Sequence, residues 1–321
     1  MSGSLEEYQI FVTGAAGFLG RLLIPRLVAE GVYVVGLDLA AVPPRFEALI
    51  SGYKPSFLYL RGDLNSIQFL NQVFHEIPAR GKRYLALFHL SGCNHAGQCH
   101  ADPLAAYSAN VFQTVQILEA CRKAGINHAI YPSSGLVYGE NSAGPFTETD
   151  PVNPKSIYAS TKLAAEAVFQ GYGGAYSFSC DIVRLSNVYG ADAHPDTAVS
   201  TALRQAREEK SVTLKTLKPV RDFIFCEDVV EGLVRLLKSG QESGCRIFNL
   251  STGHGVSIGQ MVHIVCEMAG AKSGVAEDCI NDDSGESTLV LANDALARRT
   301  GWRPVFSLHD GIKAVWEEMN R

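Results

Sequence analysis

Short, nearly continuous apolar runs alternate with helix-length stretches through the first two thirds of the chain: YQIFVTG, VYVVGLD, SFLYLRGD, YLALFHLSG, NHAIYPSS and SCDIVRLSN. Runs rich in β-branched and aromatic residues, apolar at successive positions, are the signature of strands covered on both faces. Their alternation with helices predicts an α/β fold, a doubly wound parallel sheet with helices on both sides. Helix punctuation agrees where it can be read. Asp102 and Pro103 have the chemistry of an N-cap and a first-turn residue, the helical pattern runs on through VQILEACRK, and Gly125 reads as a C-terminal stop. Pro25 falls inside the first expected helix and predicts a kink there.

From about Asn187 the pattern loosens, with loops around HPDTAV and GAKSGVAEDCINDDSGES. RDFIFCEDVVEGLVRLLK and RIFNLS still read as elements that return to the main sheet. The expected organisation is a nucleotide-binding domain over residues 1–185, with 221–250 returning to it. A smaller C-terminal, mainly substrate-binding lobe covers 186–321.

At 321 residues and 46% hydrophobic, the chain is long enough to bury a large core. The formal charge of −5 is scattered rather than blocked, which leaves no electrostatic footprint for nucleic acid or an anionic membrane surface. No apolar run reaches membrane-spanning length, and the opening MSGSLEEYQI carries acids where a targeting segment carries bases. A cytoplasmic protein without nucleic-acid or membrane partners is expected. Eight cysteines without a Cys-x-x-Cys pair read as reduced thiols. Cys93, His95, Cys99 and His100 offer zinc-type donors, but their spacing matches no standard site, so a pocket-lining loop and no metal are expected.

The first strand runs into Thr13-Gly14-Ala15-Ala16-Gly17-Phe18-Leu19-Gly20. Glycines there remove side chains, so that backbone N–H groups and a helix N-terminus can approach a pyrophosphate. The glycine trio by itself fits a tight packing turn equally well. What favours a dinucleotide is the second strand, which ends in Asp38, near the interval at which a carboxylate accepts ribose hydroxyls. A carboxylate repels a 2′-phosphate, and Leu39, Ala40 and Ala41 supply no arginine to hold one, so NAD is expected over NADP. Asp63, after the third strand, has two readings: a cap on the adenine pocket or a helix N-cap.

Tyr158 and Lys162 are four apart in YASTK and share a face of the helix that LAAEAVF continues. An ammonium beside a phenol favours the phenolate, so the pair can exchange a proton with a substrate hydroxyl. Ser133 and Ser134 end the fifth strand, at the carboxyl edge where doubly wound sheets bind ligands; a loop start is the plain alternative. Asn110 lies inside a helical pattern that disfavours it, which leaves a bound water or solvent exposure as its reasons.

These residues together resemble the extended short-chain dehydrogenase/reductase family, in its NAD-dependent nucleotide-sugar epimerase/dehydratase branch. The ordered matches are TGAAGFLG, Asp38, GDL, HLSG, NVFQT, SSGLVYG, YASTK, RLSNVYG, RDFIFCEDVV and GWRP. The resemblance implies a Rossmann sheet with a smaller substrate lobe and a catalytic set of Ser134, Tyr158 and Lys162. It implies an NAD site of Gly14, Gly17, Phe18, Leu19, Gly20, Asp38, Asp63, Leu64, His89, Leu90, Ser91, Asn110 and Ser133, completed by Tyr158 and Lys162. Ser134, Asn187 and Arg221 would hold the substrate, the last two at its diphosphate; a surface arginine paired with a neighbouring acid such as Asp222 is the lesser alternative for Arg221.

Departures choose among reactions. The dehydratases resembled place Asp-Glu after the catalytic hydroxyl, where this chain has Gly135 and Leu136; a second phosphate-binding arginine is replaced by Ser287 and Thr288 in SGESTLVLAND. The resemblance therefore implies a C4 epimerase of a nucleoside-diphosphate hexose, forming a homodimer through the helices carrying Asn110 and Tyr158. A one-way ketosugar reductase or alcohol dehydrogenase, and a non-catalytic dinucleotide-binding protein, are the alternatives.

Overall fold

A computed structural model describes residues 5–53, 55–77, 81–140, 144–275 and 287–320. Most of the loop expected at GAKSGVAEDCINDDSGES, with Cys279, Gly285 and Glu286, lies outside them. The first part of the chain runs β1 (Tyr8–Thr13), α1 (Phe18–Ala29), β2 (Tyr33–Asp38), α2 (Pro44–Ile50), β3 (Phe57–Arg61), α3 (Ile67–Glu76) and β4 (Tyr84–His89). It continues with α4 (Ala96–Ala101), α5 (Pro103–Tyr107), α6 (Gln113–Lys123), β5 (His128–Ser134), α7 (Ile157–Tyr176) and β6 (Ser179–Leu185). After these come β7 (Asn187–Tyr189), α8 (Ala198–Glu208), β8 (Ser211–Leu214), β9 (Val220–Phe225), α9 (Cys226–Lys238) and β10 (Gly244–Leu250). The chain ends with β11 (Gly255–Ser257), α10 (Ile258–Ala269), β12 (Lys272–Val275), β13 (Thr288–Leu289), α11 (Asp294–Thr300) and α12 (Leu308–Met319).

The apolar runs of the sequence become β1 to β6, and β10 completes a seven-stranded sheet in the order β10-β6-β5-β4-β1-β2-β3. The pairings among β1, β2, β3, β4 and β5 are parallel. β1, β5 and β6 are buried along their whole length, as near-continuous hydrophobic runs demand when helices cover both faces. Strand order reverses between β1 and β4, whose ends Thr13 and His89 stand in register. In sheets of this kind the crevice beyond the carboxyl ends of those strands receives the ligand.

Contacts divide the chain into two compact units. One comprises 1–137, 154–184 and 230–248; the other comprises 138–153, 185–229 and 249–321. Of the stretch 221–250, expected to return to the first domain, residues 230–248 do so, carrying most of α9 and β10, and β10 joins the main sheet. β9 instead pairs with β7, β11 and β13 in a smaller sheet. An apolar strand leading into a helix has the same pattern in either sheet, so the sequence could not separate them.

The helix ends follow the sequence closely. The Asp102 carboxylate accepts from Ala105 N–H with Pro103 at the first position, and Gly125 adopts φ +76° just past α6. α1 continues as helix from Phe18 to Ala29 across Pro25. A proline inside a helix costs about 3 kcal/mol, whereas burying a leucine or isoleucine side chain returns about 1.5–3 kcal/mol. Leu23, Ile24 and Leu27 are all buried, and that packing outweighs the lost hydrogen bond.

Candidate active site

Between β1 and α1 the three glycines are required by space as well as by flexibility. Gly14 has φ +69°, and a Cβ on it would lie 2.8 Å from the Leu90 carbonyl carbon and the Ser91 nitrogen. A Cβ on Gly20 would lie 2.3 Å from the Gly14 carbonyl oxygen, and one on Gly17 3.0 Å from the same atom. The turn is thus pressed against the end of β4. α1 starts at Phe18 and Leu19, both half-buried, from an N-cap glycine with no side chain to occupy its first N–H groups. Uncapped N–H groups at a helix N-terminus suit a pyrophosphate.

The Asp38 carboxylate ends β2 and is tied into this turn. One oxygen accepts from Ala16 N–H at 2.9 Å, the other from Ala40 N–H at 2.9 Å. The cradle that side chains would fill and the carboxylate at the second strand end both fit NAD. Asp63 is not the helix N-cap: Ser66 caps α3, accepting from Phe69 N–H, while Asp63 accepts from the backbone and side-chain amide of Asn65 at 2.9 and 3.1 Å. The Leu64 side chain is part of the core.

His89 is fully enclosed at the end of β4. Burial, helped by the Lys162 charge, pushes its pKa down to about 3, so the ring is neutral. Its tautomer follows from its partners. Thr114 spends its hydroxyl proton on the Asn110 carbonyl at 2.7 Å, so His89 Nε2–H donates to Thr114 Oγ1 at 2.9 Å. Nδ1 then accepts from Thr13 Oγ1 at 2.9 Å, which locks β1 to β4 beneath the crevice. Ser91 donates to Gln113 Oε1 at 2.8 Å, and Leu90 N–H bonds the Thr13 carbonyl.

Asn110 is buried, so neither solvent nor a water explains it. Its amide donates to the Cys93 carbonyl (3.0 Å) and Thr161 Oγ1 (2.8 Å) and accepts from Cys93 N–H (2.7 Å). The helix makes room with a π turn over Ser108–Phe112, and Gly92 with its missing Cβ, which would fall 2.5 Å from Asn110 Oδ1. The amide therefore fastens the loop after β4 to α7.

Ser134, Tyr158 and Lys162 converge at the carboxyl end of β5. Tyr158 is hydrogen-bonded to Ser134, and the Lys162 ammonium lies 5.9 Å from the Tyr158 ring centre and donates to the Pro132 carbonyl at 3.2 Å. The expected lowering of the phenol does not occur in the chain alone. Burial outweighs the Ser134 hydrogen bond and pushes Tyr158 up to about 12, while burial brings Lys162 down to about 8. Ser133 turns away from this group and donates to Glu166.

Glu166 was missed in the sequence. It is buried, four residues after Lys162 on the same helix, and takes Arg184 of β6 in a forked pair, Nη2–Oε2 2.7 Å and Nε–Oε1 3.1 Å. The spacing Tyr-x-x-x-Lys-x-x-x-Glu was the available signal: it predicts one helix face carrying all three.

In the second unit, Asn187 is exposed on β7, beside Phe223 of β9. Arg221 on β9 donates to Glu140 Oε1 at 2.7 Å, Ser287 Oγ at 3.0 Å and the Ser287 carbonyl at 3.0 Å. Asp222, the acid expected to compete for it, faces the other way on the strand. It is buried and accepts from Thr252 N–H, Thr252 Oγ1 and Gly253 N–H.

A doubly wound sheet with a glycine turn, an acid at the second strand end and a Ser-Tyr-Lys group defines an NAD-dependent enzyme of the extended short-chain dehydrogenase class. Residues 10–251 match the NAD dependent epimerase/dehydratase family, and the chain belongs to that family. It is 32% identical over 315 residues to a UDP-glucose 4-epimerase of Mycolicibacterium smegmatis, covering 95% of this chain and 96% of that protein. It is 25% identical over 320 residues to the dTDP-D-glucose 4,6-dehydratase of Homo sapiens, covering 96% and 89%. Among solved structures, MoeE5 in complex with UDP-glucose and NAD superposes with a TM-score of 0.84 at 27% identity, covering 98% of this chain and 99% of that one. A UDP-glucuronic acid 4-epimerase of Bacillus cereus, with UDP-glucuronic acid and NAD, gives 0.84 at 25%, covering 97% and 99%.

Proposed function

We propose that the protein inverts C4 of a nucleoside-diphosphate hexose by transient oxidation and re-reduction, through Ser134, Tyr158 and Lys162. The carrying observation is that Tyr158 meets Ser134 and a buried Lys162 at the carboxyl end of β5. Tyr158 exchanges the proton of the C4 hydroxyl, Ser134 hydrogen-bonds the same oxygen, and Lys162 supplies positive charge that favours the phenolate. NAD supplies a reversible hydride acceptor and, when oxidised, a further positive charge. The phenol is near 12 with Lys162 already beside it, so deprotonation at neutral pH depends on the further charge that the oxidised cofactor would add.

Elimination of water from the sugar needs an acid and a base beside the oxidised carbon. Gly135 and Leu136 follow Ser134, and Leu136 contributes only its N–H, to Ser134 Oγ at 3.2 Å. That argues against the dehydratase reaction of some relatives. Arg221, with its forked donors, is assigned to the substrate diphosphate together with Asn187.

The test follows isomer composition and NADH absorbance together, with UDP-glucose and related sugar nucleotides. Interconversion of C4 isomers without net NADH is expected. Stoichiometric NADH change would instead identify a reductase or dehydrogenase, and no reaction across the panel would sink the reading. Tyr158→Phe should lower kcat by about 10²–10⁴ with the fold intact.

A further inference from the structure

The loop after β4 carries a feature that the proposed reaction does not use. Cys93 and Cys99 point their sulfurs at each other, Sγ to Sγ 2.8 Å, with Cys99 also 3.5 Å from the Cys93 carbonyl oxygen. Two thiolates on a tetrahedral zinc stand about 3.8 Å apart for Zn–S bonds of about 2.3 Å. A disulfide needs about 2.05 Å. The observed separation lies below the first and requires only about 0.8 Å of closure to reach the second. Cys93 is partly exposed, so a small oxidant can reach it, and Cys99 is buried directly behind it.

We propose that Cys93 and Cys99 form a reversible dithiol/disulfide pair whose state is read by the catalytic helix. With hydrogen peroxide as oxidant, the Cys93 thiolate attacks one peroxide oxygen and the O–O bond breaks; the departing hydroxide takes up the proton that the thiol released, giving a sulfenic acid and water. The Cys99 sulfur then attacks the Cys93 sulfur, the S–O bond breaks, and the sulfenic oxygen leaves as a second water. Two electrons pass from the two sulfurs to the peroxide. Burial pushes the Cys99 thiol up to about 12, which suits it to the resolving place and leaves first attack to Cys93. A dithiol reductant returns both thiols by exchange.

The link to catalysis is made of hydrogen bonds already described. Asn110 grips both the N–H and the carbonyl of Cys93 and donates to Thr161, whose hydroxyl in turn donates to the Tyr158 carbonyl at 2.8 Å. Both thiols also lie within electrostatic reach of Tyr158 and Lys162. Closing the sulfurs therefore displaces a segment clamped to the turn that carries the phenol. This consequence for turnover rests on the function proposed above.

The experiment treats the full chain with hydrogen peroxide or glutathione disulfide, then denatures, alkylates and maps it with trypsin. The peptide spanning residues 84–122 contains Cys93, Cys99 and Cys121. It should carry one alkyl group, on Cys121, and weigh two hydrogens less than its thiol form, with fragmentation placing the bond between Cys93 and Cys99 and dithiothreitol reversing it. Turnover should fall at least several-fold and recover on reduction. Cys93→Ser should keep the reduced enzyme's rate and lose both responses. Cys93 and Cys99 both remaining alkylatable at oxidant levels that oxidise other cysteines would overturn the pair, and an unchanged oxidant response in Cys93→Ser would overturn its link to turnover. The mass readout needs no turnover, so absence of sugar-nucleotide activity counts against the functional reading alone.

Discussion

Lys162 shows how far a position proposed for catalysis departs from what stability prefers. It is 4% exposed, and burial brings its ammonium down to about 8 from an ordinary 10.5. Below pH 8 the folded and unfolded chains both hold the proton, and the folded state carries the full penalty of a buried charge. Between 8 and 10.5 the unfolded chain binds more protons, so stability rises with pH; above that window the penalty is gone. At one pKa unit per about 1.4 kcal/mol the shift corresponds to about 3 kcal/mol. Leaving the Pro132 carbonyl without its donor returns about 1–2 kcal/mol of that. Lys162→Met in the cofactor-free protein is therefore expected to be about 1–2 kcal/mol more stable than the parent at pH 7, with the difference lost or reversed by pH 10.5, while turnover disappears. Urea denaturation at the two pH values measures it; a variant less stable than the parent at pH 7 would refute the account. Tyr158 and Lys162 were legible in the sequence because helical spacing alone puts them on one face. Their protonation was not, since it depends on burial by residues such as Tyr131, whose ring lies 5.0 Å from the Lys162 nitrogen.

Elements are held to each other here by contacts too close for any side chain, and this gives the glycine turn a sharper test than its motif does. Replacing a glycine in a helix by alanine normally gains about 1 kcal/mol. At Gly20 the added carbon would meet the Gly14 carbonyl oxygen at 2.3 Å and the Ala15 carbonyl oxygen at 2.8 Å, and both acceptors are backbone that cannot swing away. Overpacking of this kind costs about 1–3 kcal/mol, so strain wins. Gly20→Ala should lower the melting temperature and weaken NAD binding at least tenfold by calorimetry; unchanged affinity would show that the turn does not hold the cofactor. The turn was readable because its strand, glycines and helix are contiguous. The π turn at Ser108–Phe112 was not, because its cause is a partner 17 residues away, Cys93, and another 51 away, Thr161. The same holds for the partner of Glu166, since Arg184 lies beyond the end of α7, on β6.

For the whole molecule, most of the larger sheet could be read from the chain because β1 to β5 are each followed by enough helix to fix a parallel crossover before the next strand of the sheet. The smaller sheet could not, since Asn187–Tyr189 and Gly255–Ser257 are three residues each, too short to show a period, and meet only through β9. The expected homodimer remains a proposal, and the surface of the helical path through Asn110 supports it. Leu104 is 84% exposed, Phe112 60%, Tyr107 40% and Val115 36%, spaced so that they fall on one side of that path. Large apolar side chains rarely gather on a face that stays in water. We propose that this face packs against its copy about a two-fold axis, the arrangement in which a single patch is its own complement. A stable interface needs about 800 Å² from each partner, more than these four side chains provide, so the neighbouring helix α7 must contribute. Leu104→Glu combined with Phe112→Glu should then convert a species of twice the chain mass into one of the chain mass, measured by light scattering after size exclusion. The proposed NAD site, whose assigned residues all belong to one chain, should survive the change. A parent protein that already runs at the mass of one chain would remove the dimer from the account.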